Sequence, residues 1–220
     1  MMKEEIDNVP FVKGFTGVIL AGGMSSRFGS NKAFAEINGT PLIKKVVNAM
    51  GAVFGELIII ANSPQDYSFL NIPVHEDMIK GFGPLGGIYT GLQKMPGQFG
   101  FFVACDMPFL NGNLIRYITD VTNDDLDAVV PRVDWKMEPL HALYSKNCIH
   151  AIKELIDAGE CMISKFFQAI RVRFINEQEI RKYDPMLRSF FNINRPGELH
   201  DAAGSEGVTQ PKITDLKQTS

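Results

Sequence analysis

The stretch VILAGGMSSRFGSNKA occupies residues 18–33. It opens as a short apolar run, Val18-Ile19-Leu20, of the kind that forms a strand covered on both faces. The run then breaks into Gly22 and Gly23, and serines, Arg27, Gly29 and Lys32 follow. An ordinary tight turn needs only one or two special residues. Glycine backbones approach an anion closely and aim N–H groups at it. Arg27 can fork onto phosphate oxygens, and Lys32 can act as a mobile point charge. A strand that ends in such a loop points to a parallel α/β sheet, in which ligands sit outside the C-terminal strand ends.

The neighbouring segments follow the same plan. Residues 17–21, 56–62 and 100–105 read as buried strands. A helix is expected between the first two, with Thr40 as cap, Pro41 in its first position, and Leu42, Ile43, Val46, Val47 and Met50 on one face. A second is expected from about Pro84 to Lys94 with Leu85, Ile88 and Leu92 inward, and a third with Leu114, Ile115 and Ile118 inward. This β-α-β-α-β-α order implies a mostly parallel central sheet with right-handed crossovers. Further on, residues 127–131 and 139–145 read as strands, with RVDWKME between them as a loop or hairpin. Residues 147–158 read as an amphipathic helix stopped by Gly159. MISKFFQAI reads as helical, RVRFI as a strand, FFNIN (190–194) as a short edge segment, and a last helix begins near Pro196. Residues 1–203 read as a single domain with its core in 16–203. The polar, aperiodic stretch 204–220 reads as a disordered tail.

Composition narrows the function. The formal net charge is −3 with no basic block, so general nucleic-acid binding is not expected. No apolar run approaches the ~20 residues of a membrane helix, and the N-terminal segment lacks the apolar core of a signal peptide. Cys105, Cys148 and Cys161 are odd in number and form no CxxC pair. That argues against a disulfide framework or zinc site and for a reducing cytoplasm.

Known phosphate fingerprints do not fit residues 22–32. Five residues separate Gly23 from Gly29, where a Walker loop has four, and no GxGxxG follows the first strand. GxGxxG does occur at Gly81–Gly86, without a strand immediately before it. Asp106 lies just past the third strand. It can hold a divalent cation that bridges phosphate oxygens, or cap a turn. Glu76 and Asp77 precede a second glycine-rich turn into a helix N-terminus, which favours anions or carbonyl groups; His75 reads as incidental. Asn192 and Asn194, two apart, share one face of an extended segment. They can serve a metal-bound water, an acceptor or a turn. No GxSxG and no nearby His accompanies Ser25 or Ser26, so no protein nucleophile is expected.

LAGGMSSRFGSNKA (20–33) resembles the LAGGxxxRMGxxK signature of nucleotidyltransferases, and specifically of molybdenum cofactor guanylyltransferase. The resemblance continues through GTPLI (39–43), Glu76-Asp77, GPLGGIYTGL (83–92), ACDMPFL (104–110), PLHALYS (139–145), AGE (158–160) and FFNINRPGEL (190–199). It departs at Phe28, where Met is usual. The related cytidylyltransferase has LAAG in its first loop and lacks GPL-G-G, so the motifs favour guanine. The resemblance implies a three-layer Rossmann-like nucleotidyltransferase fold and transfer of GMP from GTP to the terminal phosphate of molybdenum-molybdopterin, with release of pyrophosphate. It implies that Leu20, Ala21, Gly22 and Gly23 form the nucleotide loop and that Arg27 and Lys32 hold the triphosphate. Asn62 and Asp77 would read the guanine and ribose side, with Gly83 to Gly87, Pro84 included, near them, and Asp106 would hold Mg²⁺. Asn192 and Asn194 would lie on the pterin or metal side. Molybdenum-insertion proteins and apo-molybdoenzymes are the implied protein partners. Two alternatives stay open at this point: a sibling nucleotidyltransferase using CTP or a sugar-phosphate acceptor, and a nucleotide-binding regulator without turnover.

Overall fold

The computed structural model describes residues 10–22 and 31–205. Gly23, Arg27 and most of the tail 204–220 therefore lie outside the described residues. In chain order the strands are β1 (Phe15–Leu20), β2 (Glu36–Ile37), β3 (Thr40–Pro41), β4 (Leu57–Ala61), β5 (Val74–Glu76), β6 (Phe99–Ala104), β7 (Ala128–Val133), β8 (Lys136–Met137), β9 (His141–Ser145) and β10 (Val172–Ile175). The helices are α1 (Leu42–Gly51), α2 (Pro84–Lys94), α3 (Gly112–Asp120), α4 (Cys148–Asp157), α5 (Ile163–Gln168), α6 (Glu177–Arg181) and α7 (Pro196–Ser205).

One sheet runs in the order β10-β7-β9-β6-β1-β4-β5, with β8 paired to β7. β1 sits between β4 and β6 and is parallel to both, β5 is parallel to β4, and β10 is parallel to β7. β9 runs antiparallel to β6 and β7. The C-terminal ends of β1, β4, β5 and β6 therefore share one rim.

The sheet is covered on both faces, which is why its central strands carry the apolar runs 18–20, 57–61 and 101–104. Successive side chains take opposite faces. Ile19, Ile59, Phe101 and Val103 pack with Ile43 and Val46 of α1 and Leu114, Ile115 and Ile118 of α3. Val18, Ile58, Ile60 and Phe102 pack with Leu85, Ile88 and Leu92 of α2 and Ile152 and Ile156 of α4. The result is a three-layer α/β arrangement around a mostly parallel sheet. No helix among the described residues is long and apolar enough to cross a membrane.

Several local expectations are corrected. Thr40 does not cap α1: with Pro41 it forms β3, pairing with β2, and Pro41 occupies the N-cap without a side-chain bond. The hairpin turn is Asn38-Gly39, both at positive φ, a turn that suits right-twisted strands. FFNIN joins no strand of the sheet. Phe190 ends a 3-10 turn, and Ile193 is fully buried against Ile37, Leu42 and Ala202 while its N–H donates to the Asp106 carbonyl at 3.0 Å. The sheet edge on the β4 side is instead β5, a three-residue strand unmarked by any periodicity. RVDWKME, by contrast, is a hairpin, one of the two forms expected of it, with Asp134 and Trp135 at its positive-φ tip.

Candidate active site

The glycine loop leaves β1 at the shared rim. At this rim opens a cleft of about 810 Å³. Leu20, Ala21 and Gly22 line it from β1, Asn62 from the end of β4, and Asp77 from the end of β5. Gly83 and Pro84 contribute the N-terminus of α2, and Asp106 the segment after β6. Lys32 and Asn194 close the remaining side. Asn192 is not among the lining residues. Its amide turns back toward the Phe190 carbonyl at 3.5 Å, because the segment follows a 3-10 turn and lacks a strand's regular alternation. His75 does not line the cleft either.

Lys32 stands at the start of a 3-10 turn, Lys32–Phe34, whose N-cap Asn31 accepts the Ala33 N–H at 3.1 Å. Its Nζ lies 2.6 Å from Asp106 Oδ2 and donates to Asn194 Oδ1 at 3.0 Å. Three segments distant in sequence thus meet at one ammonium group. The carbonyl of Asp106 is held by Ile193 N–H, so the carboxylate projects from a fixed backbone. The second carboxylate oxygen, Oδ1, is buried and bonded to no described residue. A buried acceptor in this state is costly without a partner, and a hard cation is a chemically suitable one. No group of three or more His, Cys, Asp or Glu that could form a metal cage occurs among the described residues. A single projecting carboxylate is a donor of the kind Mg²⁺ uses, with substrate phosphates and water completing its shell.

Asp77 is anchored by α2. Its Oδ1 accepts from Thr90 Oγ1 at 2.7 Å and from Ile79 N–H at 3.2 Å, while Thr90 Oγ1 accepts from Met78 N–H at 3.0 Å. The turn can lie this close to the helix because position 86 is glycine. A Cβ there would sit 2.3 Å from the Ile79 carbonyl oxygen and 3.4 Å from Asp77 Oδ2. Gly83, the N-cap of α2, has φ 52° and ψ −135°, a conformation that side chains disfavour. The GPLGG pattern therefore encodes the shape of the turn that presents Asp77.

The stem of the glycine loop is fastened by side chains. Asn62 Nδ2 donates to the Gly22 carbonyl at 2.7 Å. Asn62 thereby holds the backbone at Gly22, a role that reading it as a base contact did not anticipate. Sequence reasoning also missed Tyr67, whose hydroxyl donates to the Ala21 carbonyl at 3.1 Å and accepts from Asn31 Nδ2 at 3.0 Å. Thr90 was missed because a helical Thr carries no signal of its own. Lys80, a cleft-lining cation paired with Glu76 at 2.6 Å, was missed because it lies in an irregular turn.

Cys105 lines the cleft beside Asp106. Burial, and secondarily the neighbouring carboxylate, push its thiol up to about 12. It is a protonated thiol at neutral pH and a poor nucleophile. The chemistry available here is positioning and charge neutralisation of a polyanion.

The profile of the MobA-like NTP transferase domain matches residues 17–173. A relative from Desulfosudis oleivorans named molybdenum cofactor guanylyltransferase is 40% identical over 85% of this chain and 93% of its own length. A relative from Pelotomaculum thermopropionicum, named probable molybdenum cofactor guanylyltransferase, is 38% identical over 84% of this chain and 89% of its own. The crystal structure of molybdopterin-guanine dinucleotide biosynthesis protein A from Archaeoglobus fulgidus superimposes with a TM-score of 0.76 at 25% identity, covering 86% of this chain and 97% of that one.

Proposed function

The chain belongs to the MobA-like NTP transferase family, and we propose that it transfers GMP from GTP to the terminal phosphate of molybdenum-molybdopterin. The products are the guanine dinucleotide cofactor and pyrophosphate. The observation that carries the reaction class is the meeting of Lys32, Asp106 and Asn194 at the foot of the glycine loop, with Lys32 Nζ 2.6 Å from Asp106 Oδ2. The guanine choice is supported by the names of the relatives and by the GPLGG turn.

The proposed roles follow from position for the described residues and from the resemblance for Gly23 and Arg27. Leu20 to Gly23 cradle the nucleotide phosphates, and Arg27 and Lys32 neutralise them. Asp77, moored to Thr90, and the α2 N-terminus at Gly83-Pro84 face the base and ribose. Asn194 holds Lys32 from the acceptor side. An oxygen of the molybdopterin phosphate attacks the α-phosphorus of GTP. The bond from that phosphorus to the bridging oxygen breaks, and its electron pair leaves on pyrophosphate. Asp106 would hold Mg²⁺, which when bound supplies charge neutralisation at the phosphate oxygens. Lys32 offsets negative charge that grows on the leaving group, and no protein nucleophile is required. Residues 16–203 would act as one catalytic domain. Three unpaired cysteines support a reducing cytoplasm, and molybdenum-insertion proteins and apo-molybdoenzymes are the natural protein partners.

The test is transfer of label from GTP or CTP, in parallel, to molybdopterin carrying molybdate in the presence of Mg²⁺. Transfer from GTP alone is expected. Transfer from CTP would reassign the base, and nucleotide binding without transfer to this acceptor would overturn the acceptor or the enzymatic reading.

A further inference from the structure

We propose that Tyr67 is the clasp of the glycine loop: one buried hydroxyl ties the outgoing stem at Ala21 to the incoming stem at Asn31 and so sets the backbone that carries Lys32. The inference deepens the nucleotide-transfer reading and rests on it only for its catalytic consequence.

Tyr67 lies in the 3-10 segment Pro64–Leu70 that follows β4. Its side chain is 1% exposed, and its ring packs against Phe34 with centroids 5.2 Å apart. The hydroxyl has one proton and accepting lone pairs. The proton goes to the Ala21 carbonyl, and Asn31 Nδ2 donates to the oxygen. Burial pushes the phenol up to about 12, so it stays a donor across the neutral range. The chain of bonds does not stop at Asn31. While its Nδ2 binds Tyr67, its Oδ1 caps the Ala33 N–H, which starts the turn holding Lys32. Asn31 is thereby oriented at both ends. A phenyl ring at position 67 would fill the same space and pack on Phe34, yet would release Ala21 and leave the Asn31 amide free to rotate. Such a residue positions the phosphate-binding elements without touching substrate.

The test compares Tyr67→Phe, Asn31→Ala and the double variant with the full-length protein. Tyr117→Phe is the control, because it removes a hydroxyl bonded to Glu179 at 2.7 Å, outside the Ala21–Tyr67–Asn31 chain of bonds. Amide hydrogen exchange of the ligand-free protein is read first. Exchange at Ala33 and Phe34 is expected to quicken about tenfold in Tyr67→Phe, the change that follows from losing bonds of ordinary strength. It should not change in Tyr117→Phe. Unchanged exchange in Tyr67→Phe overturns the clasp, whatever the protein's nucleotide or acceptor turns out to be. The Kd for Mg²⁺-GTP and the kcat of transfer are read next. Both are expected to worsen in Tyr67→Phe, with the double variant losing less than the sum of the two singles, because they share the Tyr67–Asn31 bond. Additive losses, or a lowered Tm with Kd and kcat intact, would make Tyr67 a plain core residue. Loss of transfer to molybdopterin by the wild type would sink the functional proposal alone, because the exchange measurement stands without it.

Discussion

Replacing Asp106 with Asn separates chemistry from stability at the centre of the cleft. The change preserves volume and removes one charge. Lys32 and Asp106 are 13% and 19% exposed, between a surface pair and a buried one. Surface pairs contribute ~0–1 kcal/mol, and breaking a fully buried one costs ~3–5 kcal/mol. Lys32 keeps an acceptor in Asn194 Oδ1 at 3.0 Å and can keep a second in the new amide oxygen. The amide nitrogen then takes the place of Oδ1, which is unbonded among the described residues, so one orphaned atom replaces another. The net loss is therefore about 1–2 kcal/mol, or a fall in Tm of about 2–8 °C for a chain of this size. Transfer should suffer far more. A carboxylate that holds the cation at the reacting phosphates contributes ~4 kcal/mol or more to the barrier, a fall in kcat/KM of at least ~10³. The assay is GMP transfer across a Mg²⁺ titration, with thermal unfolding measured on the same preparations. A kcat/KM within tenfold of wild type, with an unshifted Mg²⁺ dependence, would remove Asp106 from the reacting centre. A fall in Tm beyond about 15 °C would refute the energetic reasoning by making the pair a structural element.

Other outcomes follow from the same geometry. Thr90→Val removes the hydroxyl bonded to Asp77 and Met78 and is expected to lower stability by about 2 kcal/mol and raise the KM for GTP more than it lowers kcat; an unchanged KM would detach Asp77 from nucleotide binding. Gly86→Ala places a Cβ 2.3 Å from the Ile79 carbonyl oxygen, an overlap that costs ~1–3 kcal/mol and is read as a lower urea midpoint. One buried group and one half-buried group give opposing pH effects. Burial lowers His141 from 6.5 to about 3, so the stability of the neutral form is fully present above pH 6.5 and is lost as pH falls toward 3; His141→Phe should flatten that limb in urea titrations at stepped pH. Burial raises Glu138 from 4.5 to about 7, so its protonated form favours folding below pH 4.5 and that contribution is lost as pH rises through 7; Glu138→Gln should be more stable than wild type at pH 8 by more than at pH 4.

Much of the architecture follows from local pattern. The apolar runs ending at Leu20, Ala61 and Ala104 are strands because residues buried on both faces leave no polar alternation. The helices at Leu42, Pro84 and Gly112 announce themselves by apolar spacing. Elements too short to show a period escaped. β5 spans only Val74–Glu76, and α6 only Glu177–Arg181, although the latter carries a capping box between Asn176 and Glu179. The Asn38-Gly39 turn carried a hairpin signal, but β2 and β3 are two residues each, too few to read as strands.

The sequence by itself determined the chemistry and the rim on which it sits: a glycine loop after β1 and an aspartate after β6 must share one side of a parallel sheet, because parallel strands end together. Only the tertiary structure decided which groups touch. Lys32 meets Asn194 across 162 positions in sequence, and the partnership has no local signature because it is made by α7 folding back onto β2. The same holds for Tyr67 and Thr90. A tyrosine in an irregular segment and a threonine inside a helix look like ordinary packing until the fold brings a loop stem and a carboxylate within hydrogen-bond distance of their hydroxyls.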